Sequence, residues 1–288
     1  MGTSNSNKGT GGKGTPLIPS WLESAGTAPG APAAGVGGGA TMPQAISTPQ
    51  MRLPIPPAGS ADRFRAARTN FTSFARSGGT KQGSLGRAVS SYVTRSSGGA
   101  RGAARGMGSS RAAGTRLLSF LADTSNRGVQ EALKSLNLEE LAGRPIDEIF
   151  LGLVDHICPE GGTTDAAIAR AAFIETIAEL AANGITDLNA LNTDQIQTVF
   201  ELYATRTIEA RLYNEIGTNA IKIPLDATAA LQVQTQLHDF VRNGVADALT
   251  GMRARLERLT PGRVAQFVDR VYEQAFTVLV ALGNAAQD

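Results

Sequence analysis

The sequence predicts an all-α protein, a helical bundle preceded by a long, largely disordered Gly/Pro/Arg-rich N-terminal region. Three observations predict it. Apolar residues recur at helical spacing through residues 117–288, without the β-branched alternation that marks strands. Glycine and proline crowd the first 116 of the 288 residues, which hold 22 of 33 glycines and 9 of 13 prolines. Charge divides at the same point. Up to Arg116, 14 Lys and Arg face only Glu23 and Asp62, whereas the remainder carries 13 against 23, so the total of +2 hides a cationic leader on an anionic body. The expected organisation is a tail over 1–60, a basic and conditionally ordered Phe/Arg/Gly segment over 61–116, and an acidic helical domain over 117–288.

The tail has too little apolar content to offset the entropy of ordering its backbone. Within it, Leu17, Ile18, Trp21 and Leu22 lie around Pro16 and Pro19, and Trp21 is the only tryptophan in the chain. Prolines lower the entropy lost on docking and tryptophan is enriched among binding hot spots, so the stretch reads as a partner-binding motif. Lys13 lies among glycines, but Gly14 follows it where a phosphate loop needs Ser or Thr, and that reading is rejected. The start, Met1 to Ser6, fits a loose acylation pattern with Ser6 in place. Removal of Met1 would leave the flexible amine of Gly2. Its pKa of about 7.7 to 8.0, against about 10.4 for lysine, leaves far more free base at neutral pH, which makes Gly2 a modification candidate.

From residue 61 the texture changes. Phe64, Phe71 and Phe74 are spaced by seven and three, one helical face, with Arg63, Arg65, Arg68 and Arg76 around them and a stop at Ser77-Gly78-Gly79. Arg63, Phe64, Arg68, Phe71 and Phe74 are therefore candidate partner contacts. A second short element over Leu85 to Val93 ends at Ser96-Ser97-Gly98-Gly99. The next stretch is Arg/Gly/Ala with almost no large apolar side chain, so Arg101, Arg105, Arg111 and Arg116 are candidate polyanion contacts. A basic linker folding onto the acidic domain of its own chain explains the same residues, and both readings stand open.

The domain that follows divides at its breakers. Leu133, Leu136 and Leu141 precede Gly143, and Pro145 belongs in the first turn of a helix holding Ile146, Ile149, Phe150, Leu153, Val154 and Ile157, ended by Cys158-Pro159. Thr164 caps a helix with Ile168, Phe173, Ile174, Ile177 and Leu180, ended by Asn183-Gly184. Asn192 and Gln195 form a capping box for the helix of Ile196 to Leu212, closed by Gly217. Asp226 opens a long segment from Ala227 to Leu259 with Leu231, Leu237 and Val241 on its stripe and a kink expected at Gly244 or Gly251. Thr260-Pro261 starts the last helix, whose apolar face runs from Val264 to Leu282.

No catalytic constellation, metal site or cofactor motif emerges. His156 and Cys158 supply two metal ligands at most, and their two-residue separation on a helix end disfavours a nucleophile and base on one side, so Cys158 reads as a buried structural thiol. The lone cysteine excludes an internal disulfide and fits a reducing cytoplasm. No run approaches the roughly 18 apolar residues of a membrane span. The expected protein is not an enzyme.

Several blocks together resemble a known family: Met1-Gly2-Thr3-Ser4-Asn5-Ser6, Thr15 to Leu22, Arg63 to Arg68 with Phe71-Thr72-Ser73-Phe74, Leu85-Gly86-Arg87-Ala88, Tyr92-Val93 and Gly108 to Ala113. Their order and spacing, over residues 1–120, are similar to the QatB family of the four-protein Qat anti-phage system. The resemblance implies a bacterial cytoplasmic defence component without chemistry of its own, with an ATPase, a QueC-like enzyme and a TatD-like nuclease as partners. It also implies that Gly2 is a substrate: a QueC-like enzyme activates a 7-deazaguanine carboxylate, and a glycine amine accepted in place of ammonia would form an amide. The leading expectation is an interaction and scaffold protein. The alternative is a nucleic-acid-binding accessory protein using the basic 61–116 segment, set apart by its steep salt dependence.

Overall fold

A computed structural model of the chain describes residues 62–182, 187–217, 226–256 and 259–286, and every regular element among them is helical. The first helix, α1 (Arg65–Arg76), forms where Phe71 and Phe74 share a face, and it ends as the glycines require. Gly78 and Gly79 hold φ of 62° and 86°. Their N–H groups donate to the carbonyls of Ala75 at 2.9 Å and Phe74 at 3.3 Å, the two-bond glycine stop. Next, α2 (Gln82–Ser91) widens into a π turn over Tyr92–Ser96, and Gly98 and Gly99, both at positive φ, turn the chain into α3 (Ala100–Arg105).

The expected division between residues 116 and 117 falls inside one continuous helix, α4 (Gly108–Arg127). Residues 62–116 are not a separate, conditionally ordered segment; they belong to one core with the residues that follow. Phe71, Phe74, Leu85, Val89 and Tyr92 are buried together with Leu212, Phe276 and Leu279. The physical reason lies in small side chains. Ala103, Ala104, Ala113 and Gly114 are buried and allow close helix approach, and a Cβ on Gly114 would stand 3.2 Å from the Tyr203 ring and 3.3 Å from that of Phe200. A stretch whose one large apolar side chain, Met107, is fully buried thus packs through small residues, Gly114 among them lying against aromatic rings from α9.

After α5 (Val129–Lys134) and a 3₁₀ turn at Glu139–Leu141, the helix expected over 146–157 is two: α6 (Ile146–Gly152) and α7 (Val154–Ile157). They part next to Gly152, where a Cβ would strike the Leu141 side chain. Pro145 is the N-cap of α6, one position before its first turn. Thr163, not Thr164, caps α8 (Thr164–Ala182): its hydroxyl accepts from the Ala166 N–H at 3.1 Å. Asn183-Gly184, expected to end this helix, lies outside the described residues. The capping box of Asn192 and Gln195 opens α9 (Thr193–Ile216), with reciprocal bonds of 2.9 and 3.0 Å.

Asp226 accepts from the Ala229 N–H at 2.7 Å and starts α10 (Ala227–Thr250), which ends at Gly251. Gly244 introduces no break. A Cβ there would come 2.5 Å from Leu279 Cδ2, so the glycine serves the close crossing of α10 and the last helix. A short α11 (Arg253–Leu256) and a 3₁₀ turn with Pro261 at its first position lead into α12 (Val264–Ala285). This last helix is central and packs against α2, α3, α4 and α10. Rings of Phe120, Phe150, Phe173 and Tyr203 form an edge-to-face series with centroids 6.5, 5.7 and 6.4 Å apart, tying α4, α6, α8 and α9. No helix among the described residues is long and apolar enough to cross a membrane.

Candidate functional site

Gly2, Leu17, Ile18, Trp21 and Leu22 lie outside the described residues. The Phe/Arg block is described, and its geometry corrects the expectation. Phe71 and Phe74 are 0% exposed, their rings edge to face at 5.7 Å, so burial leaves them no surface for a partner. Phe64 is half-buried, stacked on Tyr92 at 6.1 Å, with the guanidiniums of Arg63 and Arg68 at 5.4 and 5.3 Å from its ring centre. Arg63 Nε donates to the Ser96 carbonyl at 2.6 Å while Ser96 Oγ donates to the Arg63 carbonyl at 2.7 Å, and Arg68 Nε donates to the Glu215 carbonyl at 2.8 Å. These arginines hold α1 onto its own fold.

The four arginines expected as polyanion contacts are divided. Arg111 pairs with Asp269 of α12, and Arg116 donates to the Ile157 carbonyl at 3.0 Å. Arg101 and Arg105 are exposed on α3. Contact with the body of the same chain, one of the two readings of this stretch, is thus what Arg111 and Arg116 make.

Cys158 and His156 are not brought together: the thiol is buried and donates to the Ala169 carbonyl at 3.5 Å, while His156 is exposed. Burial pushes the Cys158 thiol up to about 12, against a smaller opposing effect of Arg170 and Arg116. Among the described residues no group of three or more His, Cys, Asp or Glu side chains could hold a metal ion.

The tertiary structure instead builds a cleft of about 710 Å³ across three helices. One wall is Glu175 and Glu179, one turn apart on α8; the floor is Arg206 and Glu209 of α9; the other wall is Leu231 and His238 of α10. Arg206 organises the charges. Its Nε and Nη2 donate to Glu179 Oε2 at 3.1 and 3.0 Å, its Nη1 donates to Glu209 Oε2 at 3.3 Å, and Glu175 lies 3.9 Å from Nε. Glu209 Oε2 also meets His238 Nδ1 at 2.9 Å. Three carboxylates against one guanidinium leave the cleft anionic with its side chains already oriented. Such an arrangement suits a cationic segment that brings an apolar side chain to Leu231, which is 64% exposed.

By spacing Leu231 belongs to the apolar stripe of α10, and no sequence motif singles out Glu175, Glu179, Arg206 or Glu209. The signal present was local, the Arg206 to Glu209 spacing of three. Nothing local says that Glu179 lies opposite.

A family model described as QatB, Qat anti-phage system associated protein QatB, matches residues 98–279, that is, α3 to α11 and most of α12. It covers the helical body, whereas the resemblance in the sequence rested on residues 1–120. Comparison with curated proteins gives no match, and comparison with solved structures gives none either.

Proposed function

The chain belongs to the QatB family of Qat anti-phage system associated proteins, and from that premise we propose that it is a non-catalytic interaction component of a bacterial defence assembly in the cytoplasm. The observation that carries the reading is the pre-oriented anionic cleft with Leu231 on its wall. A basic segment of a partner protein gains charge complementarity there and buries its apolar tip against α10. The partners are those the family resemblance implies: a QueC-like protein, an ATPase and a TatD-like nuclease. In the same assembly Gly2 is the candidate acceptor for modification by the QueC-like partner, with Leu17, Ile18, Trp21 and Leu22 as its anchor.

The test is co-purification of the other defence proteins with a tagged full-length copy, alongside Leu231→Glu and a chain lacking residues 1–60. Leu231→Glu is expected to reduce capture of a partner at least tenfold with an unchanged melting temperature, because the side chain is already exposed. Undiminished capture by Leu231→Glu removes the cleft from the proposal. Loss of every partner only in the shortened chain assigns recruitment to the tail. Intact mass of the protein expressed with and without the QueC-like partner tests Gly2, and the same unmodified mass in both ends that part. Capture that requires nucleic acid and collapses between low and moderate salt selects the accessory nucleic-acid role instead.

A further inference from the structure

Most arginines of the described residues are committed to a carboxylate or a carbonyl of the fold, as Arg63, Arg68, Arg111, Arg116, Arg206 and Arg253 illustrate. A group of three is not. Arg255, Arg263 and Arg270 line one pocket of about 310 Å³ between the end of α11 and the start of α12, with Leu259, Gln266 and the ring of Phe267 completing it. No carboxylate within salt-bridge distance serves any of the three among the described residues. Phe267 is only 5% exposed and its ring lies 6.4 Å from that of Phe200.

Helix stability favours Arg255, in the last turn of α11, but does not account for Arg263. Arg263 is the N-cap residue of the 22-residue α12, Arg270 lies two turns in, and the first turn of the helix holds no acidic residue. The positive end of a helix disfavours cations and favours anions, so Arg263 works against the dipole. Three arginines that line one small volume also bring like charges near each other. Both costs are relieved by an anion held between them, and guanidinium forks match phosphate oxygens in pairs.

We propose that Arg255, Arg263 and Arg270 form a binding site for a small phosphorylated molecule of mononucleotide size. The volume lies at the lower end of the small-ligand range. A long polyanion is disfavoured by the surroundings. The adjoining cavity, which shares Arg255 and Arg270, is also lined by Asp247 and Glu273, and residues 117–288 carry 23 acidic against 13 basic side chains. Carboxylates flanking the arginines repel phosphates that extend past the pocket, whereas a compact polyvalent anion places its charge inside it. The site lies apart from the anionic cleft, so the two assignments stand or fall separately.

Isothermal titration of the full-length chain with inorganic pyrophosphate, ADP, a twelve-nucleotide single-stranded DNA and a hexaglutamate peptide tests the site. Pyrophosphate and ADP are expected to bind with dissociation constants of about 100 µM or tighter. Arg263→Gln/Arg270→Gln is expected to weaken both at least tenfold, and the control Arg127→Gln/Arg144→Gln, at two exposed arginines paired with Asp123 and Glu148, to leave them within about twofold. Tighter binding of ADP identifies a mononucleotide as the ligand, and tighter binding of pyrophosphate identifies free phosphates; either order supports the site. Without ligand, the melting temperature of Arg263→Gln/Arg270→Gln should stay level or rise, since the change removes charge repulsion. The proposal is overturned if neither phosphate compound binds, if the double variant binds them unchanged or melts lower than the parent, or if the DNA or the peptide binds more tightly than both.

Discussion

Asp165, in the first turn of α8, accepts two hydrogen bonds from Ser110, one from its backbone N–H at 3.2 Å and one from its hydroxyl at 2.8 Å. It accepts a third from the Ser109 N–H at 2.5 Å. A carboxylate from another helix therefore does for α4 what a local N-cap residue does for most helices, and Tyr203 completes the joint by donating to the Ser110 carbonyl at 3.0 Å.

Removing that carboxylate strands two backbone donors and a hydroxyl at a buried helix start. Asp165→Ala is expected to lower unfolding stability by about 3 kcal/mol, and Asp165→Asn, which keeps an acceptor oxygen, by about 1 to 2 kcal/mol. Urea denaturation of the three proteins checks it, and equal stability of parent and alanine variant contradicts it.

The α2 and α12 backbones touch through two glycines. A Cβ on Gly86 would stand 2.7 Å from the Gly283 carbonyl oxygen, and one on Gly283 would stand 2.5 Å from that of Gly86. Backbone cannot swing aside as a side chain does, so Gly283→Ala is expected to cost about 1 to 3 kcal/mol by overpacking. Gly262→Ala, where a Cβ meets nothing within 4 Å, is the control and should stay within about 0.5 kcal/mol. Melting curves of the pair settle it.

Phe74 lies in the part of the chain that looks like a basic leader, yet it is buried in the common core. Phe74→Ala is expected to cost about 3 to 5 kcal/mol, on the scale of Phe276→Ala in α12. Unfolding followed by near-ultraviolet circular dichroism and by far-ultraviolet circular dichroism should remain one coincident transition in the parent protein. An early transition that Phe74→Ala shifts alone would mean that residues 62–116 fold as a unit of their own.

Cys158 carries a pH signature. Its folded-state pKa is raised by burial to about 12, above the thiol of an unfolded chain near 8.5, so the folded state keeps a proton that the unfolded state loses. The resulting stability is present in full below about pH 8.5 and is lost as pH rises towards 12, because in that window the unfolded state binds fewer protons. Iodoacetamide at pH 8 should therefore label Cys158 slowly in the native protein and fast in guanidinium. Equal rates by mass spectrometry count against the buried thiol. Cys158→Ala should also flatten the alkaline fall in stability.

Much of the body was legible from the chain. The capping box of Asn192 and Gln195, the Asp226 cap, the glycine stop after α1 and the proline start before α12 all stand where local chemistry put them. These signals work within a few residues, through orphan N–H groups and through backbone angles that glycine reaches cheaply. Where reading faltered, the deciding partner was distant in sequence. Leu231 fits a buried helical stripe by spacing, but among the described residues it stays 64% exposed. The Arg/Gly/Ala stretch fits a solvated linker by composition, but its Ala103, Ala104 and Ala113 are buried and Gly114 lies against Phe200 and Tyr203.

By itself, then, the sequence determined the helical class, the ends of most helices, and the family through the order of its residues. Tertiary structure alone decided that residues 62–116 join the core, that Arg206 gathers carboxylates from two helices, and that Arg255, Arg263 and Arg270 face one pocket. The reason is physical. Helix formation and capping are satisfied by groups three or four residues apart, whereas burial and charge pairing depend on which surfaces the whole fold brings within a few ångströms of each other.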